Sequence, residues 1–216
     1  MSSLARLRQH GSADPTAATP AASRSAETST PLHPVLAERW SPRAFDSTVE
    51  IDEQTLTAAL EAARWAPSAG NSQPWRFIVA RRGTEAFGAV MQTLVGFNAE
   101  WAGAAGALVV AVADTLDAAG QPAVWSHYDV GQAVAHFTVQ AHSDGVHVHQ
   151  IGGFDRSRVR AAFSLDDRFE PLTVIAVGSL GSPDALPERA RAREGAPRTR
   201  LALADILIAD SEIADI

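Results

Sequence analysis

A β-sheet covered by helices is the fold this sequence predicts, and three observations predict it. Short β-branched runs alternate with helical patterns along the chain. Residues 107–113, Ala-Leu-Val-Val-Ala-Val-Ala, are apolar without interruption, as in a strand buried on both faces. No internal repeat and no good linker divides residues 31–180, so the core is one domain.

The elements follow in order. Residues 1–30 are rich in Ser, Thr, Ala and Pro, lack apolar periodicity and read as a disordered tail. They lack the apolar middle of a secretory signal, although arginines with few acids faintly resemble a transit peptide. Residues 31–39 read as a short helix. Asp52 is a good N-cap for a helix through Trp65, with Leu56, Ala59, Leu60 and Ala63 as its apolar stripe. Pro67 ends that helix. A polar turn leads into a strand at 75–80, and a helix at 84–95 turns Phe87, Val90, Met91 and Leu94 inward. After the strand at 107–113 and a loop at 116–122 comes the longest helical pattern, 124–143, with Gly145 where a helix C-terminus wants glycine. In it Gly131 and Ala135 allow close approach of another helix. A short strand at 146–150, a glycine turn at 151–154, an Asp155-capped helix to Phe163 and a buried strand at 171–180 complete the core. Residues 181–197 are polar and read as an extended connection. The moderately apolar 201–216 ends the chain.

Composition narrows the function. The 216 residues are 46% apolar and 20% charged, the mix of a soluble globular protein. A net charge of -7 argues against nucleic acid and anionic membrane surfaces as partners. No apolar run approaches the ~20 residues of a membrane span. The chain has no cysteine and no lysine. Thiolate, Schiff-base and P-loop lysine chemistry are therefore excluded, and arginine does all the cationic work.

Four stretches carry polar or small residues that a plain connection does not need: 39–43, 67–73, Gly152-Gly153 and 198–200. They supply four arginines, small residues for close backbone approach and an amide-bearing platform, which suits a phosphorylated planar cofactor. No Gly-x-Gly-x-x-Gly follows a strand, so a Rossmann site is not expected.

In this order the pieces resemble the FMN-dependent nitroreductase family. They are Arg-Trp-Ser-Pro-Arg-Ala-Phe at 39–45, Ala-Pro-Ser-Ala-Gly-Asn-Ser-Gln-Pro-Trp-Arg-Phe at 66–77 and Asp-Val-Gly-Gln-Ala at 129–133. His-Gln-Ile-Gly-Gly-Phe-Asp at 149–155 and Pro-Arg-Thr-Arg at 197–200 complete them. The resemblance covers about 32–207. It implies an α+β fold, with a central mixed or antiparallel sheet flanked by helices, in an intertwined homodimer that binds FMN at the subunit interface. It implies that residues 31–216 form the FMN-binding domain, with a C-terminal extension embracing the partner. By the same resemblance Arg39, Ser41 and Arg43 contact phosphate and ring. Asn71 and Gln73 contact the flavin, Pro67, Ser68 and Ala69 come from across the interface, Gly152 and Gly153 offer a backbone N–H, and Arg198 and Arg200 close on the phosphate. The implied activity is ping-pong hydride transfer from NADH or NADPH through the flavin to an electron-poor acceptor such as a nitroaromatic or quinone. No protein acid or base is obligatory, so no catalytic residue is assigned. Arg43 best fits the role of stabilising negative charge on the reduced ring. A cytoplasmic location is expected.

The chain departs from the family pattern at Gly152, where better-studied members carry an acidic residue, and in the short segment 98–125 that shapes the substrate pocket. These departures keep two alternatives open, an FMN-storage protein with little turnover and specialised flavin chemistry such as dehalogenation or dehydrogenation. His142, His147 and His149 read as structural rather than as a metal site, so no metal is expected. Ser68 lacks the strand–elbow–helix context of a hydrolase. Asp166-Asp167 reads as a solvated turn. The five tryptophans read as core or interface residues.

Overall fold

The computed structural model describes residues 24–209. Residues 1–23 of the expected tail, and 210–216, lie outside the described residues.

Four strands form one sheet, β1 (Trp75–Arg81), β2 (Ala107–Asp114), β3 (His147–Ile151) and β4 (Phe169–Gly178). Their order across the sheet is β1-β2-β4-β3, and every pairing is antiparallel. All eight residues of β2 are buried, which explains why it reads as a continuous apolar run. Its side chains alternate between two cores. Leu108, Val110 and Val112 face one, with α3 (Glu85–Met91), α5 (Arg156–Ala162) and α6 (Glu188–Glu194). Val109, Ala111 and Ala113 face the other, with α2 (Glu53–Arg64) and α4 (Ser126–Ser143). The fold is thus three-layered and α+β, as expected, and the sheet is antiparallel throughout.

Local chemistry sets the helix ends. Asp52 accepts from the Thr55 N–H at 2.9 Å, and Asp155 accepts from the N–H groups of Ser157 and Arg158. Gly145 follows α4 with φ 79°, a left-handed backbone that costs glycine nothing. The helix expected over 84–95 stops at Met91, because Leu94 bridges to Phe154 instead of continuing the helix. The segment 181–197 departs from the extended connection expected. It contains α6, whose Ala190 and Glu194 are buried, with Leu186 one turn earlier. The buried stripe Leu186–Ala190–Glu194 has the helical spacing of four, but only one large apolar residue marks it. Two shorter helices, α1 (Pro34–Glu38) and α7 (Leu203–Ile206), flank the domain. Residues 24–30, within the stretch read as a tail, form no helix or strand, yet Arg24 lies against Trp40, 4.2 Å from the ring centroid. Among the described residues no helix is long and apolar enough to cross a membrane.

Candidate functional site

The segment after α1 cannot stay helical, because Pro42 disfavours helix at Ser41. It is anchored instead by Ala44 and Phe45, both buried, and by a bridge from Phe45 to Leu180 beyond the end of β4. The Glu194 carboxylate fixes it from α6. It accepts from the Arg43 N–H at 2.8 and 3.0 Å and from the Ala44 N–H at 3.0 Å, and it lies 3.9 Å from the Arg43 guanidinium. The result is a cavity of about 210 Å³ lined by Ser41 and six arginines, Arg24, Arg39, Arg43, Arg193, Arg198 and Arg200.

The cavity is short of negative charge. Glu194 is the only carboxylate paired with any of those arginines among the described residues. Burial, then the neighbouring Arg200, lowers the pKa of Arg39. Burial, then Arg39, Arg200 and Arg24, lowers that of Arg198. Burial first, with a contribution from Arg193, lowers that of Arg43 against the pull of Glu194. Like charges gathered with few counter-charges favour an anion with several oxygens, and the guanidinium fork suits a phosphate. Three of the six are partly committed to backbone carbonyls, Arg200 to that of the adjacent Thr199 at 2.7 Å, and Arg24 and Arg198 to distant ones. Arg24 donates to the carbonyls of Glu194 and Ala196, and Arg198 donates to those of Arg24 and Ala37. Together they tie the N-terminal segment to the C-terminal one across α1.

The turn between α2 and β1 is strained. Gly70, Asn71 and Gln73 have φ of 58°, 56° and 49°, and each non-glycine residue there costs about 1–3 kcal/mol. Its hydrogen bonds hold it. The Gln73 N–H donates to the Ser68 hydroxyl at 3.0 Å, and the Gln73 amide donates to the Asn71 carbonyl at 3.1 Å. Two buried carboxylates pin its ends. Asp129 on α4 accepts from the Ala69 N–H at 3.1 Å. Asp114 pairs with Arg76 at 3.2 Å, and Arg76 donates to the Gln73 carbonyl at 3.0 Å. Asp114 is itself held by Arg168, at 2.7 and 2.9 Å.

The third piece follows β3. Gly152 is exposed, and a Cβ there would meet open space. A Cβ on Gly153 would lie 2.5 Å from the Asn98 amide, which donates to the Gly153 carbonyl at 3.3 Å. Only glycine fits at 153 without moving Asn98. His149 precedes the turn on β3. Its ring lies 4.6 Å from Trp101, and its Nδ1 donates to the Pro42 carbonyl at 2.8 Å, so it joins β3 to the arginine segment. His142 and His147 contact each other edge-on at 5.2 Å.

Burial pushes the His149 imidazole down to about 4. A folded-state pKa below the unfolded 6.5 means that neutral His149 supports the fold fully above pH ~6.5, and that this support is lost as pH falls towards 4. The shift corresponds to at most about 3 kcal/mol. Urea unfolding at pH 7 and pH 4.5 should therefore show a smaller acid-induced loss of stability in His149→Gln than in the unaltered protein. Equal losses would remove this role from His149.

Within one chain these pieces do not all meet. The cavity brings together Arg39, Ser41, Arg43, Arg198 and Arg200. The turn that holds Pro67, Ser68, Ala69, Asn71 and Gln73 lies at the other end of the sheet, where Trp75 pairs with Ala113 and Ala113 with Glu170. From Glu170 to Gly178, beside the arginine segment, is about 26 Å along β4 at ~3.3 Å per residue. That is longer than a flavin mononucleotide. Sequence reasoning assigned no role to Arg24, Asp114, Asp129 or Glu194, although Asp129 opens one of the family-like pieces. Their partners are 38 to 172 residues away along the chain, and no local pattern signals such pairs.

The profile of the Nitroreductase family matches residues 36–87 and 83–179. An uncharacterised 15.4 kDa protein of Mycolicibacterium smegmatis is 36% identical over 138 residues, 61% of this chain and 92% of its own length. YdgI of Bacillus subtilis strain 168, provisionally named an NAD(P)H nitroreductase, is 25% identical over 185 residues, 67% of this chain and 86% of its own. A solved oxidoreductase containing FMN is 32% identical and superposes with a TM-score of 0.80, over 87% of this chain and 96% of that one. A nitroreductase family protein from Streptococcus pneumoniae TIGR4, 22% identical with a TM-score of 0.66 over 82% of this chain and 98% of its own, shares the fold.

Proposed function

The chain belongs to the nitroreductase family, and from that premise we propose that it is an FMN-dependent oxidoreductase. It takes hydride from NAD(P)H and passes it to a small electron-poor acceptor such as a nitroaromatic or quinone. The observation that carries this reading is the arginine cavity, a cluster of guanidiniums with one carboxylate among them. FMN, when bound, supplies the hydride-transfer chemistry, and the protein supplies binding, orientation and charge.

Each residue has a task in this reading. Arg39, Ser41, Arg198 and Arg200 hold the phosphate. Arg43, fixed by Glu194, puts positive charge beside the ring and favours its negatively charged reduced form. Gly152 and Gly153 let the ring approach the backbone at the end of β3. Asn71 and Gln73, with Pro67, Ser68 and Ala69, serve the ring from a second copy of the chain, since β4 keeps them far from this copy's arginines. Exposed Trp65, Val124, Trp125 and Tyr128 near that turn support a homodimer, because apolar surface of this kind marks interfaces. The exposed Leu201, Leu203, Ile206 and Leu207 support a C-terminal extension lying on the partner.

The purified protein is expected to be yellow, with one FMN per chain, and NADH or NADPH under anaerobic conditions should bleach it. A colourless protein that takes up no added FMN overturns the assignment. A yellow protein that neither donor bleaches is the storage protein instead.

A further inference from the structure

We propose that Arg189 and Arg193 form a second anion subsite beside the phosphate cavity, which selects a nicotinamide donor carrying an extra phosphate. The inference rests on the donor reading above. Three guanidiniums surround one ring. The Phe97 centroid lies 4.6 Å from that of Arg193, 5.0 Å from that of Arg189 and 5.8 Å from that of Arg43. Phe97 stands between the two halves of the site. Arg43 and Arg193 reach from it into the phosphate cavity. On its other side Val95 and Asn98 both donate to the Gly153 carbonyl.

Charge accounting picks out this pair and Arg39, which the reading above gives to the FMN phosphate. Outside the phosphate cavity most arginines are paired with carboxylates, as in Arg64–Glu61, Arg81–Glu53, Arg156–Glu170 and Arg160–Asp167. Arg82 and Arg191 bond to backbone carbonyls. Among the described residues Arg189 and Arg193 have neither kind of partner, only the Phe97 ring. Glu188, next to Arg189, and Glu100, on the segment of Phe97, form no ion pair with them. A ring attracts an exposed cation by about 0.5–1 kcal/mol, which does not neutralise it. The two guanidiniums lie within about 10 Å of each other, comparable to the Debye length, so they repel in ordinary salt.

In the reading above the single phosphate of FMN takes Arg39, Ser41, Arg198 and Arg200, and Arg193 lines the same cavity without a task there. Arg189 and Arg193, spaced i, i+4 on α6 and exposed, remain for an anion that comes and goes. A phosphomonoester dianion fits two adjacent guanidinium forks better than a single carboxylate does. In a chain of net charge -7, such a patch also draws a polyanionic donor that the rest of the surface repels.

Two measurements on the FMN-loaded protein test this. The first is the ratio of kcat/KM for NADPH to that for NADH. A ratio of at least tenfold is expected, falling at least tenfold in the double variant Arg189→Ala/Arg193→Ala. The second is equilibrium binding of 2′,5′-ADP, read by calorimetry. It should weaken at least tenfold in the double variant, while 5′-AMP binds both proteins alike. A ratio near one in the unaltered protein, or one that survives both substitutions, overturns the proposal. So does a rise in the FMN dissociation constant with the ratio unchanged, which would give these arginines to the cofactor phosphate. If neither donor reduces the flavin but 2′,5′-ADP binding depends on the two arginines, the donor reading falls and the subsite stands.

Discussion

Glu194→Ala is expected to lower the unfolding free energy by about 3–5 kcal/mol, the range for removing one partner of a buried charged cluster. The carboxylate is 3% exposed and accepts from two backbone N–H groups at 2.8–3.0 Å. Alanine leaves the buried Ala44 N–H and the part-buried Arg43 N–H without this acceptor, at up to about 1–3 kcal/mol each, and removes the only carboxylate paired with Arg43. For a chain of this size that is a fall in Tm of roughly 10 °C. Glu194→Gln keeps one oxygen acceptor and should fall about half as far. FMN binding should weaken in both variants, because the segment that carries Arg39, Ser41 and Arg43 loses its anchor. Thermal unfolding by circular dichroism, with and without FMN, makes the comparison. An unchanged Tm for the alanine variant would mean that α6 does not hold that segment.

The second large effect concerns the cofactor. Arg200→Ala should weaken FMN binding by about 1.5–3 kcal/mol, the worth of a charge-assisted hydrogen bond to phosphate. Adding Arg39→Ala should bring the total loss to roughly 10²- to 10⁴-fold in Kd. The flavin-free protein should respond with the opposite sign. Arg39 is burdened by burial and by the proximity of Arg200, so removing both charges relieves repulsion and leaves the empty fold no less stable. Quenching of FMN fluorescence gives the affinity, and urea unfolding without flavin gives the stability. Unchanged affinity in the double variant would move the phosphate elsewhere.

Much of the scaffold was legible because local rules decide it. Asp52 followed by Leu56, Ala59 and Ala63 reads as a capped helix with one wet face, and Ala107 to Ala113 as a strand between two layers. The arginine segment and the turn at 66–75 were legible as unusual connections, and the family resemblance joined them. What failed was long-range. The helix α6 was hidden because its buried stripe ends in a glutamate, and a glutamate earns a buried place only through donors supplied about 150 residues earlier. Asp129 and Asp114 were hidden for the same reason. The partner of each, Ala69 or Arg76, is brought to it only by the fold. Arg24 sat in a segment whose composition argued for no structure, yet it bonds to carbonyls near the other end of the chain.

The length of β4 has a consequence for handling the protein. In the dimeric reading proposed above, a strand that keeps the arginine cavity and the turn at residues 68–73 about 26 Å apart, at ~3.3 Å per residue, leaves a complete flavin site only where two chains meet. Retention of the cofactor then obeys mass action in the protein itself. On that reading dilution is expected to empty the site without altering any residue in it, and added FMN or added protein to refill it.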